Sequence, residues 1–563
     1  MAATVKHLAA RSVGTPIRSS LKFLTLLGLV TAVLLNSCFP VAGPMPPWRA
    51  WIAWVALVPL LWALLNQRAA AHSRYVRRAF LTSYLCGLLW YMLNCYWVYQ
   101  TMFYYGHVPP PGAAGILFLY SAILGLYFGL FGGLLAFFRR RFGLSTAIVL
   151  AAFLWTALEL AAARITSVPW DQLGYSQVDS LWITQLAPVT GVYGISFVLV
   201  LANAVLLGVW ITQPRANTWI KAVATIASFI VLFLFSRWAA PPPAPTSEYA
   251  VLLQPNIDVE PPDNWKGTEW QGDAGWLAAA ARQTCTPAFD GMPADDSTPS
   301  VQSCAPNTAP PGLVLWPEVG SWWRSDDPRT LALLRVVTAS ARAPFIAGMV
   351  GEDAAGIYNS GVFVNADGSV QGRYDKIHLV PFGEYVPFRN LFFFANHLTR
   401  QVGDFNRGRE RRVFKANGHT FGIFICYESV FADEVRLFAK NGADVLVNIS
   451  DDGWYGDTSA PWQHLNMARM RAIENRRWII RDTNNGVTTV IDPWGRVTLS
   501  APRHMLTSLV ARYDYRSDLT FYTRYGDVFA YLCCAVVIGA GLFALLRQGN
   551  NPDGRTTSSA STL

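Results

Sequence analysis

The first 238 residues are a succession of apolar runs broken by short polar stretches. Seven of these runs approach the length a helix needs to cross a bilayer, about 20 residues. They cover 23–38, 51–65, 80–103, 112–138, 144–163, 189–212 and 219–235, and an eighth covers 528–546. The first two are short, and a basic stretch ending in Arg18 and Lys22 gives the start the form of a signal peptide. The further runs favour an uncleaved first helix. Between the seventh and eighth runs the pattern changes. After the stiff linker AAPPPAPTS (239–247), short strand-like runs alternate with helical ones: VLLQPNI, LVLWPE, PFIAGMV and FGIFICYE read as strands, 328–341 and 430–441 as helices. The predicted organisation is a membrane bundle over 1–238 with seven spans, a linker over 239–247, an α/β domain over 248–525, an eighth span over 526–547 and a polar tail over 548–563.

Within the α/β domain, 271–311 is rich in Ala, Asp, Pro, Ser and Thr and reads as a surface insertion. Its two cysteines, Cys285 and Cys304, are equally readable as a disulfide or as two unpaired thiols.

Basic residues set the orientation. Arg68, Arg74, Arg77 and Arg78 follow the second run, Arg139, Arg140 and Arg141 the fourth, and Arg215 and Lys221 flank the loop after the sixth. The positive-inside tendency puts those loops in the cytoplasm. An even number of spans then places both termini there and the α/β domain on the opposite face, the periplasm of a bacterium.

Composition agrees with a membrane protein: 52% of residues are hydrophobic and only 14% charged. The net charge of +9 is spread in clusters between apolar runs, which fits topology better than nucleic-acid binding. The eight cysteines show no metal-ligand spacing. Five of them, Cys38, Cys86, Cys95, Cys533 and Cys534, fall in apolar runs as packing residues.

The remaining chemistry concentrates in three motifs. Cys426 ends the run FGIFI at the position of a nucleophile, Glu318 ends LVLWPE in the same manner, and Lys376 sits in GRYDKIHLVPFGEYVP among Tyr374, His378 and Phe382. A cysteine nucleophile needs a base to take its proton and donors to hold the developing oxyanion. His464, in PWQH on the first turn of a predicted helix, reads as a packing or capping histidine rather than a base.

A Glu at one strand end, a Lys after a hairpin and a Cys in CYE resemble the nitrilase, or carbon-nitrogen hydrolase, superfamily. The segments WPE, KIHLVPFGEYVP, CYE, NISDDGWYG and PWQHLNMARMRAIE, in this order behind a helical bundle, resemble more closely its membrane branch, the apolipoprotein N-acyltransferases. The fold this implies is a bundle of about eight transmembrane helices plus an α/β nitrilase-like αββα sandwich. The resemblance implies Glu318 as general base, Lys376 as stabiliser of the oxyanion and Cys426 as nucleophile. Physics adds the backbone N–H of Tyr427 as a second oxyanion donor. Glu384 and Glu428 either orient the lysine and assist proton transfer or form a buried ion pair. The segment PWDQLGYSQ, with Pro169, Trp170, Gln172, Gly174 and Tyr175, resembles a family segment expected at the entrance to the site. Tyr385 belongs to the same surroundings, Trp265 resembles the family's lid tryptophan, and Phe388 and Leu391 to Phe394, including Phe392 and Phe393, read as a membrane-dipping arm.

The implied reaction is ping-pong. Cys426 takes an acyl chain from a phospholipid as a thioester, and the N-terminal amine of a diacylglyceryl-cysteine apolipoprotein then takes it as an amide, completing lipoprotein maturation at the bacterial inner membrane. No metal, cofactor or nucleic acid enters that scheme, and no oligomer is implied. Two other readings share the residues: a membrane-tethered amidase or nitrilase that hydrolyses its thioester, and a lipid-binding or transport protein with an inactive nitrilase-like domain.

Overall fold

The structure is a computed structural model that describes residues 20–66, 74–212, 218–257, 259, 310–318, 323–381, 383–385, 405–505 and 507–549. Trp265, Cys285, Cys304, Phe382, Phe388, Leu391, Phe392, Phe393 and Phe394, named in the sequence, lie outside the described residues.

Runs without internal charge have their backbone hydrogen bonds satisfied most economically as helices, and the apolar segments are helical. The elements are α1 (Leu21–Asn36), a 3₁₀ segment (Pro47–Trp54) leading into α2 (Val58–Leu65), α3 (Tyr75–Asn94), α4 (Trp97–Tyr104), α5 (Pro110–Phe142), α6 (Leu144–Ile165), α7 (Val192–Thr212) and α8 (Thr218–Trp238). Among the described residues six segments are long and apolar enough to cross a membrane: Pro47–Leu65, Pro110–Phe142, Leu144–Ile165, Val192–Ile211, Trp219–Ser236 and Val528–Leu546. The other two of the expected eight are helical as well, but α1 has only 16 residues and α3 carries Arg77 and Arg78 in its first turn. Side chains such as Ile226, Val231 and Leu234 on α8 and Ile538 on the last helix point away from the protein. In water, exposing that area would cost about 25 cal/mol per Å², so lipid is the medium that suits it.

In three predicted spans the helices differ from the expected runs. The run 80–103 is two helices, because the carbonyl of Asn94 turns to accept from Gln463 Nε2 at 3.1 Å instead of continuing the helical ladder. The run 51–65 starts as a 3₁₀ turn. At its junction with α2, Asn203 donates to the Ala53 carbonyl (2.9 Å) and accepts from the Leu57 N–H (3.0 Å). The run 189–212 yields a helix only from Val192. Gly191 breaks it at φ +65°, and the Glu474 carboxylate accepts from the Val192 N–H at 3.0 Å.

Beyond the linker come β1 (Glu248–Gln254), β2 (Leu313–Trp316), α9 (Pro328–Ala341), β3 (Phe345–Asp353), β4 (Gly356–Val364), β5 (Val370–Asp375), β6 (Val413–Ala416) and β7 (His419–Ile425). They are followed by α10 (Ala432–Lys440), β8 (Val445–Ser450), α11 (Ala460–Asn475), β9 (Trp478–Thr483), β10 (Thr489–Ile491), β11 (Val497–Ser500), β12 (Thr507–Tyr513) and α12 (Val528–Gly549). The helix expected from Val430 begins at Ala432, since Cys426–Val430 first forms a 3₁₀ turn.

Two six-stranded sheets form, ordered β12-β1-β2-β3-β4-β5 and β11-β10-β9-β8-β7-β6. Strand periodicity splits each strand between two layers. Ala250 and Leu252 of β1 face the other sheet together with Ile423 and Ile425, while Val251 and Leu253 pack with Leu334 and Val337 of α9. On the far face of the second sheet, Phe438 of α10 lies so close that a Cβ on Gly422 would come within 2.7 Å of it. The architecture is therefore the expected αββα sandwich.

Helix α11 lies at the boundary between the sandwich and the bundle. Buried Arg471 pairs with Glu474 at 2.9 Å and donates to the Tyr175 hydroxyl at 2.9 Å. Arg164, at the end of α6, is ion-paired to both Asp433 of α10 and Asp527 before α12.

Candidate active site

In each sheet the three parallel strands, β1-β2-β3 and β7-β8-β9, end on loops, the place where open α/β sheets collect their chemistry. Glu318 stands two residues beyond β2 and Cys426 one beyond β7. Lys376 follows β5, its N–H donating to the Asn359 carbonyl at 2.8 Å.

The Lys376 ammonium is 1% exposed and lies 3.2 Å from Glu318 Oε1 and 2.9 Å from Glu384 Oε1. Asn359 Nδ2 donates to the same two oxygens, at 2.6 and 2.7 Å. The remaining carboxylate oxygens are also held: Glu318 Oε2 accepts from the Asp451 N–H at 2.9 Å and Glu384 Oε2 from the Val380 N–H at 2.7 Å. Burial opposes the charge on Lys376, but Glu318, Glu384 and the neighbouring Cys426 together raise its pKa well above that of an ordinary lysine. It stays an ammonium.

Cys426 adopts φ +50°, a left-handed conformation that a side chain enters only where its surroundings impose it. Burial, followed by the charge of Glu318, raises its thiol pKa well above the usual value, against the pull of Lys376. At rest the sulfur is therefore a thiol, and attack requires a group that removes its proton.

Among the described residues Glu428 meets hydrogen-bond donors rather than an ion-pair partner. Its Oε1 accepts from the Tyr374 hydroxyl (2.7 Å), the Ile377 N–H (2.7 Å) and the His378 N–H (3.1 Å), and its Oε2 from the Ile425 N–H (2.7 Å). One carboxylate thus joins the residue after Lys376 to the residue before Cys426. For Glu384 the buried ion pair foreseen in the sequence is what the structure contains.

Three residues escaped sequence reasoning. Asn359 bridges the two glutamates, and Asp452 and Arg481 form a fully buried ion pair at 2.7 Å. Burial alone would raise Asp452, but Arg481 and His464 hold its carboxyl below the ordinary range. His464 is indeed packed, as expected, with its ring 6.2 Å from that of Trp170 and nearly parallel to it. It also bonds the backbone of Cys426, Nε2 lying 3.0 Å from that residue's carbonyl.

Trp170 is buried where the sandwich meets the bundle. Its Nε1 donates to Gln463 at 2.9 Å, and its ring lies near those of Trp97, Tyr427 and Tyr455. It forms part of the wall of a cleft lined mainly by aromatic and aliphatic side chains such as Phe39, Trp90, Phe128 and Trp155. Tyr385 is covered by the Arg407 guanidinium, 5.0 Å from its ring centre, and Tyr427 donates through its hydroxyl to the Ser167 carbonyl at 3.3 Å.

Residues 37–205 match the family model of the apolipoprotein N-acyltransferase N-terminal domain, and residues 255–516 match that of carbon-nitrogen hydrolases. An apolipoprotein N-acyltransferase of Geobacter metallireducens is 31% identical over 536 residues, covering 92% of this chain and 94% of that protein. One from Methylococcus capsulatus is 30% identical, covering 85% and 90%. Among solved structures, an amidase from Nesterenkonia sp. matches with a TM-score of 0.34 and 17% identity over 50% of this chain and 94% of its own. With sequence likeness running the length of both chains, the protein belongs to the apolipoprotein N-acyltransferase family.

Proposed function

We propose that Cys426 carries a fatty acyl chain from a membrane phospholipid to the N-terminal amine of a diacylglyceryl-cysteine apolipoprotein. The family supplies the reaction class, since its members are named for N-acyl transfer to apolipoproteins. In the first half-reaction Glu318 accepts the thiol proton as Sγ attacks the ester carbonyl. The oxyanion is met by Lys376 and by the Tyr427 N–H. Collapse expels lysophospholipid, which takes the proton back from Glu318, and leaves a thioester. In the second half the neutral amine attacks that thioester, Glu318 takes the amine proton, and the amide leaves as the thiol reforms. Ester and thioester are close in energy and the amide is lower, so the second step draws the first forward.

The observation that carries this reading is the placement of Lys376, buried and charged between two carboxylates beside the nucleophile. A hydrolytic site needs the same parts. The bundle adds what hydrolysis does not need, a catalytic sandwich fixed onto apolar helices through α11 and Arg164. The basic loops after the second, fourth and sixth runs support a sandwich on the periplasmic side of the inner membrane.

Incubating the purified chain with a phospholipid and a synthetic diacylglyceryl-cysteine peptide tests the proposal. N-acylated peptide should accumulate with the native chain and be lost with Cys426→Ser. Free fatty acid as the sole product would show a hydrolase instead.

A further inference from the structure

The bond between His464 and the backbone of Cys426 has a geometric consequence. A carbonyl oxygen can only accept, so the Nε2 that lies 3.0 Å from it carries the ring proton. The carbonyl of Cys426 and the N–H of Tyr427 belong to one peptide unit, planar and trans, and therefore point in opposite directions. Whatever holds the carbonyl also aims the N–H.

His464 is itself held on its other side. Its Nδ1 lies 2.9 Å from Asp452 Oδ1 and 3.0 Å from Arg481 Nη2. Asp452 accepts from the Ser450 hydroxyl at 2.9 Å and from Arg481 at 2.7 Å, and Arg481 also donates to Asn448 Oδ1. These partners sit on β8, on β9 and on the turn after β8, so the ring is tied to the ends of two parallel strands. Trp170 covers one face of the imidazole, and the Tyr455 ring meets it near perpendicular at 5.9 Å. The chain at Cys426 is in the left-handed region, where a single peptide can otherwise turn over into more common geometry.

We propose that His464 is a positioning residue that clamps the Cys426–Tyr427 peptide in the orientation in which the Tyr427 N–H serves the oxyanion. This rests on the reaction proposed above, in which that N–H is a donor. The strand ends hold Asp452 and Arg481, these hold the imidazole, and the imidazole holds the peptide. The clamp acts on the tetrahedral intermediate rather than on the sulfur.

Two variants separate the clamp from simple packing. In His464→Gln the amide nitrogen reaches the place of Nε2 and can still donate to the carbonyl. In His464→Asn it reaches only the place of Nδ1, and the side-chain bond to the carbonyl is lost. Three readouts are needed: single-turnover thioester formation over a range of labelled phospholipid in nanodiscs, alkylation of Cys426 by iodoacetamide, a displacement that passes through no oxyanion, and the thermal midpoint.

Loss of one oxyanion donor is worth about 100-fold or more in rate. The Asn variant should slow thioester formation by about that factor, with KM and the alkylation rate unchanged, and the Gln variant should recover most of the rate. An Asn variant as fast as the native chain would overturn the clamp. Equal losses in both variants, or alkylation and thermal midpoint falling together with acylation, would overturn it too, by showing a packing role only. Absence of any thioester in the native chain would overturn the underlying reaction, and this inference with it.

Discussion

Lys376 and Glu384 are eight residues apart in sequence and 2.9 Å apart in space, the ammonium buried and the carboxylate fixed from behind by the Val380 N–H. That carboxylate is one of two that keep the lysine charged. Glu384→Gln removes one anion and so lowers the Lys376 pKa while keeping the shape of the site. Thioester formation should fall about tenfold, a loss of about 1.4 kcal/mol of transition-state stabilisation, and its alkaline limb should move to lower pH. A pH–rate profile checks this. A limb displaced to higher pH would contradict the assignment.

Glu318 has two separable effects. As the proposed base, its loss in Glu318→Gln should cost about 10²–10⁴ in thioester formation. As an anion that raises the Cys426 pKa, its loss should favour the thiolate, so the pH midpoint of iodoacetamide alkylation should shift downward. Slower acylation beside a more easily ionised thiol is a combination that general damage to the site would not produce.

Gly348 gives a steric test. A Cβ there would stand 2.3 Å from the Pro317 carbonyl oxygen and 2.8 Å from the Glu318 Cα, so Gly348→Ala must push the base aside. Displacement of a reacting group by about 1 Å can cost about 100-fold. Acylation rate measured beside phospholipid binding should show a loss confined to the chemical step.

The buried pair of Asp452 and Arg481 makes a stability prediction. Arg481→Met strands the Asp452 carboxylate, and breaking such a pair typically costs about 3–5 kcal/mol. In the native chain the Asp452 pKa is depressed, so its contribution is present above the unfolded carboxyl pKa and lost as the pH falls through the folded one. In the variant that pKa rises, because desolvation is no longer opposed by the guanidinium. Thermal midpoints in detergent should therefore drop most near neutral pH, and the gap to the native chain should narrow on acidification.

The parts of the fold that depend on local pattern were legible. Long apolar runs gave the helices, short apolar runs gave β1, β2, β3 and β7, and the ends of those strands pointed to Glu318 and Cys426. What escaped depends on contacts between distant segments. Nothing near Asn94 announces a helix break, because the cause is Gln463, 369 residues away. Asn359, Asp452 and Arg481 lie in or beside strands and look ordinary until the sheets bring them together. The segments NISDDGWYG and PWQH held Asp452 and His464 in view, but only coordinates show the ring touching the Cys426 carbonyl. Glu428 was identified as important, yet its four donors come from two stretches of the chain, 374–378 and Ile425, which spacing alone cannot reveal.

The most direct test of the account is the mass of the protein after brief exposure to a defined phospholipid without acceptor. The account predicts one added acyl group, located on the peptide containing Cys426, released by hydroxylamine, and discharged faster by a diacylglyceryl-cysteine peptide than by water. An acyl group found on another residue, or transfer to the peptide at full rate by a chain carrying Cys426→Ala, would contradict it.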